Sequence, residues 1–108
     1  MAIEPIILCL NQAGFSIANK IANRFSFKLH GRSDRVTKAD RFFDNALTHT
    51  RVLFSNGTPI IGVCASGILI RAVAPLLQNK LTESPIIAVS DDGSVVIPLL
   101  GGHRAVSY

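Results

Sequence analysis

The stretch PIIGVCASGILIRAVAPLL, residues 59–77, decides the fold of this chain of 108 residues. It begins with a short β-branched apolar run that ends at Cys64, which is typical of a strand buried on both faces. Ser66 stands where a helix N-cap is expected, and apolar residues recur behind it at helical spacing. Pro75 should kink or end that helix, because it removes the hydrogen bond to the Arg71 carbonyl. The stretch therefore predicts a strand, a tight turn and a helix.

The same run is nominally long enough to cross a bilayer. Arg71 lies within it, glycine and proline interrupt it, and its first half has the composition of a strand. We therefore expect no membrane span. A signal peptide is not expected either, because Glu4 and Pro5 stand where a basic n-region would lie.

Similar elements are predicted on both sides of this unit. Further strands are expected over residues 5–10, 26–29, 85–89 and 95–99, and Asp92-Gly93 predicts the tight turn of a hairpin between the last two. Asn11 is expected to cap a first helix, whose apolar positions are Gly14, Ile17, Ala18, Ile21, Ala22 and Phe25. Asp40 is expected to cap a second helix, which ends at Asn56-Gly57 and buries Phe43, Ala46, Leu47, Thr50 and Phe54.

Strands and helices thus alternate along a chain short enough for one domain. The central strands are continuous apolar runs, which indicates a sheet covered on both faces. The predicted fold is α/β, a three-layer Rossmann-like domain with a mostly parallel sheet and an antiparallel edge hairpin.

Composition excludes several classes of protein. With 48% hydrophobic residues the chain is too apolar to be disordered. Cys9 and Cys64 lie in apolar strand-like runs without metal-ligand spacing, so they are interpreted as buried thiols in a reducing cytoplasm. No metal site and no cofactor of the domain's own are expected.

The net charge of +4 is concentrated in residues 20–41, which hold seven Lys/Arg against Asp34 and Asp40. Such a segment binds nucleic acid or a polyanionic ligand, or is simply a solvated basic face. Aromatic residues for base stacking are few, so no nucleic-acid partner is expected.

Gly67 and Arg71 form the first candidate site. Ligands of open α/β sheets bind beyond the carboxyl ends of the strands, where helix N-termini present free N–H groups to anions. An arginine on an apolar helix face needs an anion or a backbone acceptor. The alternative is an Arg71 that extends to solvent or bonds the carbonyls freed by Pro75. No nucleotide-binding glycine motif is present.

Gly101-Gly102-His103 is the second candidate. Its backbone N–H groups and imidazole are suited to orienting water or stabilising an oxyanion, although a lone histidine in such a turn can equally be a surface residue. Because both glycine turns follow strand ends, we expect them at the same edge of the sheet. His30 and His49 have no partner in the sequence and receive no role, and Asp91 and Asp92 are interpreted as turn formers.

Residues 60–103 resemble the N-terminal domain of the CbiG family of cobalamin biosynthesis, the cobalt-precorrin-5A hydrolases. That family has a strand followed by Gly-Ile-x-x-Arg-x-x-Ala-Pro-Leu-x-x-x-Lys, then a second strand, an Asp-containing turn and a Leu-Leu-x-Gly-His turn. The matching positions are Gly67, Ile68, Arg71, Ala74, Pro75, Leu76, Leu77, Lys80, Pro85, Asp91, Gly93, Leu99, Leu100, Gly102 and His103.

The resemblance implies an enzyme that opens the ring-A acetate lactone of cobalt-precorrin-5A and releases acetaldehyde. It implies an anionic cobalt-corrinoid partner, with cobalt carried by the substrate. Substrate binding would fall to Gly67, Arg71, Lys80, Gly101 and Gly102, and assistance to the attacking water to His103.

The chain departs from the family pattern at two places. Ser84 replaces an Asp before Pro85, and after His103 the family continues through Gly-Gly-Ala-Asn into a helix, which Arg-Ala-Val-Ser-Tyr does not. We therefore expect a domain over residues 1–103 with a truncated or foreign tail over 104–108, and an isolated domain that is inactive. The alternative is a non-catalytic tetrapyrrole-binding domain fused to a precorrin-3B C17-methyltransferase, where S-adenosylmethionine would serve the fused partner.

Overall fold

A computed structural model describes residues 3–77 and 83–101. They form one six-stranded sheet in the order β3-β2-β1-β4-β5-β6. The strands are β1 Ile6–Cys9, β2 Lys28–Arg32, β3 Arg41–Phe43, β4 Ile60–Val63, β5 Ile86–Val89 and β6 Val96–Leu100. The helices are α1 Phe15–Phe25, α2 Ala46–Ser55 and α3 Ser66–Val73, with short 3-10 turns before α1 and after α3.

The first five strands are parallel, and β6 runs antiparallel to β5. This confirms the predicted α/β fold with its antiparallel edge hairpin. At the hairpin turn Gly93 has a φ of 77°, and the Asp92 carboxylate accepts hydrogen bonds from Ser90 and from the backbone and side chain of Ser94. The bonds from Ser94, followed by that from Ser90, lower the pKa of Asp92 to about 2, so Asp92 is the turn former that the sequence predicts.

Helices cover both faces of the sheet, as three layers require. Alternate residues of β1 point to opposite faces, Ile7 and Cys9 towards α1 and Leu8 towards α2 and α3. The two cysteines are free and buried, and burial raises the pKa of the Cys64 thiol to about 12. Both observations agree with the buried-thiol interpretation.

The predicted start of the second helix is wrong. Residues Arg41–Phe43 form the extra strand β3, and Asn45 caps α2 through its side-chain oxygen, which accepts from Thr48 N–H at 3.0 Å. Asp40 instead fixes the start of β2, because its Oδ2 accepts from Leu29 N–H at 2.7 Å. The Asp40 carboxylate is therefore bonded to β2 and does not cap α2.

Four smaller expectations also change. Phe25 is 55% exposed and Leu47 is 36% exposed, so neither belongs to the buried core. Ser26 belongs to no strand, since it ends α1 in the left-handed conformation with a φ of 59°. Ser66 is the first residue of α3, and the N-cap position is Ala65, which forms no side-chain cap. The end of α2 is as predicted, with Gly57 at a φ of 78°.

Pro75 ends α3 as expected, since the α-helix stops at Val73 and a 3-10 turn follows. The carbonyls left without helical partners are bonded from the neighbouring helix. Arg51 of α2 donates from Nε to the Ala72 carbonyl at 2.8 Å and from Nη2 to the Arg71 carbonyl at 3.4 Å. Arg51 therefore ties α2 to the end of α3.

A basic cleft at the carboxyl edge of the sheet

The carboxyl ends of β1 to β5 meet at one edge of the sheet because these strands are parallel. We call this the carboxyl edge and its opposite the amino edge. Both Gly67, in the first turn of α3, and Arg71, one turn further on, follow β4 and belong to the carboxyl edge. The sequence placed both residues correctly.

Arg71 is exposed, and its Nε donates to the Gly67 carbonyl at 3.3 Å. The carbonyl that Pro75 leaves without a helical donor is bonded by Arg51 instead. Within the described residues, the Arg71 guanidinium is in salt-bridge range of no carboxylate. Its Nη groups are therefore available to an anion.

A cleft of about 270 Å³ lies between the first turns of α2 and α3. It is lined by Arg32, Asn45, Ala46, Leu47, Ile68 and Arg71. The lining holds two guanidinium groups and no carboxylate. We call it the basic cleft.

Arg32, the last residue of β2, belongs to the basic segment that the sequence marked as a whole, but the sequence did not single it out as a functional candidate. The predicted strand ended at Leu29, because residues 30–38 are polar and basic without a periodic pattern and indicate a loop. The structure corrects this, since β2 continues to Arg32. Gly31 is buried in the strand, and a Cβ there would lie 3.1 Å from side-chain atoms of Val36 and Ala39. The signal that could have extended the strand is the alternation of Phe27 and Leu29, which continues into the small residue Gly31.

A second cleft, of about 440 Å³, lies on the other side of α3's first turn, towards β6. Its lining includes Cys64, Ser66 and Asp91. The Asp91 carboxylate adds to the effect of burial in raising the pKa of Cys64. The carboxyl edge thus has a cationic side between α2 and α3 and an anionic side between α3 and the hairpin.

Gly101 does not lie at this edge. It follows β6, which is antiparallel, and the last residue of β6, Leu100, pairs with Ile86 at the start of β5. Gly101 accordingly packs against Pro85 at the amino edge. The expectation that the two glycine turns share one edge is wrong for Gly101, because the carboxyl end of an antiparallel strand lies at the opposite edge.

Lys80, Gly102, His103 and residues 104–108 lie outside the described residues. Their expected roles in substrate binding, in water activation and as a tail remain predictions.

The other cations of the basic segment lie elsewhere. Lys28 and Lys38 line a cavity of about 620 Å³ near the amino end of β2, together with Asn19 and Asn23 of α1. The Arg24 guanidinium lies 5.4 Å from the ring centre of Phe25. Only Arg32 of this segment lines the basic cleft, and the other Lys and Arg residues between positions 20 and 41 are exposed.

His30 and His49, which had no partner in the sequence, bond each other. Nδ1 of His30 lies 2.8 Å from Nε2 of His49, and the ring of Phe43 stacks on His49 at 4.5 Å. Burial, followed by the charges of His49 and Arg41, lowers the pKa of His30 to about 4 despite the opposing effect of Asp40. Burial and Arg41 also lower the pKa of His49. The pair links α2 to β2 just below the basic cleft.

Across residues 3–77 and 83–101 the side chains form no group of three or more metal-ligating residues. In the same part of the chain no helix is both long and apolar enough to cross a membrane.

Comparison with known proteins identifies relatives. A family model described as cobalamin synthesis G N-terminal matches residues 48–107. A cobalt-precorrin-5A hydrolase from Salmonella typhimurium is 28% identical over 98 residues, which cover 90% of this chain and 28% of the relative. The same enzyme from Priestia megaterium is 33% identical over 51 residues, or 47% of this chain and 14% of the relative.

The fold also has a solved counterpart. The crystal structure of a cobalamin biosynthesis protein G homolog from Sulfolobus solfataricus superposes with a TM-score of 0.64 at 22% identity, covering 93% of this chain and 30% of that one. The chain spans less than a third of the length of each of these relatives.

Proposed function

The chain belongs to the cobalamin synthesis G N-terminal family, and from that premise we propose that it binds a cobalt-precorrin intermediate as part of a cobalt-precorrin-5A hydrolase. The whole enzyme would open the ring-A acetate lactone and release the two-carbon unit as acetaldehyde. Both curated relatives are such hydrolases, so we prefer this function to a scaffold fused to a methyltransferase. We place the protein in the cytoplasm, with cobalt arriving in the substrate and no cofactor of the domain's own.

The observation that carries the proposed binding role is the basic cleft. A corrinoid precursor bears several acetate and propionate carboxylates, and guanidinium groups bind carboxylates through charge-assisted, often bidentate hydrogen bonds. Arg71 lies at the edge of the sheet where α/β domains bind ligands. Within the described residues its Nε donates to Gly67, and its Nη groups have no hydrogen-bond partner. Lys80 is proposed as an additional cation for the same ligand.

Lactone opening also needs a positioned water and a stabilised oxyanion. The proposed assistant is His103, with the N–H groups of Gly101 and Gly102 beside it. Gly101 lies at the amino edge, so Arg71 and the Gly101 turn would contact different parts of a large ligand. Binding is the role we assign to this domain, and we expect turnover only in the full-length enzyme.

The test uses the full-length protein, with acetaldehyde release from cobalt-precorrin-5A as the readout. Arg71→Ala should raise KM at least several-fold with the thermal midpoint little changed. His103→Ala should lower kcat by roughly 10²-fold or more, the usual range for a positioned acid or base. A full-length wild-type protein that releases no acetaldehyde contradicts the hydrolase assignment, and unchanged turnover in His103→Ala removes His103 from the chemistry.

A further inference from the structure

We propose that Arg32 and Arg71 together form a two-arginine clamp in the basic cleft, which holds one carboxylate arm of the ligand. The inference rests on the proposed function for the identity of the ligand, but the clamp itself rests on the geometry of the cleft. It assigns a binding role to Arg32, which lies outside residues 48–107, the part of the chain that the family model matches.

The two arginines come from different elements. Arg32 ends β2 and Arg71 lies in α3, and both line the same cleft of about 270 Å³. Asp34 compensates part of the charge of Arg32, but within the described residues no carboxylate is in salt-bridge range of Arg71. The two cations at the cleft therefore still repel each other until an anion enters. An anion between them removes that repulsion and gains two sets of charge-assisted hydrogen bonds.

The guanidinium of Arg32 has one ion-pair partner, and its remaining nitrogens have none within the described residues. Its Nε is shielded from solvent and forms no hydrogen bond, although it lies 3.2 Å from Oδ1 of Asp34 in an ion pair. The angle of approach at Nε is therefore poor. Within the described residues its Nη groups form no hydrogen bond, which leaves them available for a ligand.

Arg71 is aligned in a different way. Its Nε donates to the Gly67 carbonyl, one turn earlier in α3, and this bond fixes the plane of the guanidinium along the helix. A hypothetical Cβ on Gly67 would lie 3.8 Å from an Nη atom of Arg71. The guanidinium therefore lies close to the first turn of α3, where the helix dipole also favours an anion.

The carboxylates nearest the cleft do not occupy it. Asp34 lies between Arg32 and Arg35, with its Oδ2 at 3.7 Å from Nε of Arg35. Asp44 accepts the Ser33 hydroxyl hydrogen bond at 2.5 Å. Neither residue is in the lining, although Asp34 offsets part of the positive charge of Arg32 from outside the cleft.

The size of the cleft selects the ligand group. Sites that enclose a whole small molecule measure roughly 300–1,000 Å³, and this cleft lies just below that range. It cannot enclose a tetrapyrrole ring, but it admits a single acetate or propionate side chain. We infer that the corrin ring lies outside the cleft and inserts one peripheral carboxylate.

Direct titration of this 108-residue chain tests the clamp. Three single variants, Arg32→Gln, Arg71→Gln and Arg35→Gln, are titrated with succinate and with cobyrinic acid, a cobalt corrinoid with free carboxylates, and binding is followed by NMR. Arg35 is the matched control, because it also pairs with Asp34 but does not line the cleft. Thermal midpoints of all variants confirm that folding is retained.

We expect Arg32→Gln and Arg71→Gln each to weaken the binding of both probes about tenfold or more relative to the wild type. Chemical-shift changes on binding should be confined to residues of the cleft. Arg35→Gln should leave the affinity within twofold of the wild-type value. The fully amidated corrinoid cobinamide should bind at least tenfold more weakly than cobyrinic acid.

If Arg71→Gln weakens the binding of the probes and Arg32→Gln does not, the clamp is overturned and the proposed function still stands. Succinate binding that depends on both arginines, together with no binding of cobyrinic acid, supports the clamp and contradicts the proposed ligand. Equal effects of all three variants indicate a general charge effect and overturn the clamp.

Discussion

Gly67 and Gly101 follow the same kind of sequence signal, an apolar strand and then glycine, yet they lie at opposite edges of the sheet. Gly67 follows a parallel strand and opens the helix that carries Arg71. Gly101 has a φ of 73°, and a Cβ there would lie 2.7 Å from Cα and 2.9 Å from N of Pro85. Gly67 therefore leaves room beside a cleft, whereas Gly101 permits close packing of two backbone segments.

Substitution of Gly101 should have the largest effect. Gly101→Ala places a side chain in the left-handed region and against backbone that cannot move aside, and we expect a loss of about 2–4 kcal/mol in the free energy of unfolding. Urea denaturation of the variant and the wild type measures the loss. A change below about 0.5 kcal/mol would show that the amino edge is not packed as described.

The histidine pair should make the carboxyl edge sensitive to acid. The folded-state pKa of His30, about 4, lies below the ordinary value near 6.5, so the unfolded chain binds the proton first as pH falls. The stabilisation is complete above pH 6.5 and is lost as pH falls from there towards 4. We expect the pair to account for about 1–3 kcal/mol over that interval.

Denaturation of the wild type and of His30→Gln at pH 7 and pH 4.5 measures this contribution. The difference between the two proteins isolates the histidine from the titration of carboxylates. His30→Gln should be less stable than the wild type at pH 7 and should lose less on acidification. Parallel pH profiles would contradict a depressed pKa at His30.

Arg51 and Arg71 lie close together in space, and their substitutions should differ in their effect on stability, as those of Gly101 and Gly67 do. Arg51→Met removes hydrogen bonds to the Ala72 and Arg71 carbonyls, and we expect a loss of about 1–2 kcal/mol in stability. Arg71→Met should cost less than about 0.5 kcal/mol, because its side chain is exposed. Thermal and urea denaturation of both variants compare them, and equal losses would show that Arg71 is structural.

The smallest effect is expected at Gly67. A Cβ there meets only the flexible end of Arg71, at 3.8 Å, so Gly67→Ala should raise stability by up to about 1 kcal/mol through helix propensity. The same urea series measures it beside Gly101→Ala. Destabilisation by more than about 1 kcal/mol would mean that the first turn of α3 needs glycine for its conformation.

The sequence predicted the parts of the fold that depend on local patterns. The strand and helix of residues 59–77, the end of α2 at Gly57 and the hairpin turn at Gly93 each have a strong local signal, and the structure contains all three. Strand β3 was missed because three residues, Arg41-Phe42-Phe43, are too few to show a period, and the strand exists through its pairing with β2.

The two arginines of the candidate site also differ in whether the sequence could predict their position. Arg71 could be placed from sequence because its helix directly follows the best strand of the chain. Arg32 could not, because residues 30–38 are polar and basic and indicate a loop, and only the pairing of β2 with β1 and β3 extends the strand that far.

By itself, the sequence determined the α/β class, the buried cysteines, the family and the position of Arg71 after a strand, because these depend on neighbours along the chain. The tertiary structure decided which edge each glycine turn occupies, which arginine bonds the carbonyls near Pro75, and which histidines meet. These features depend on strand direction and on contacts between residues far apart in sequence, such as His30 with His49 and Arg51 with Ala72. Periodicity and capping signals act over only a few residues, so they carry no information about such contacts.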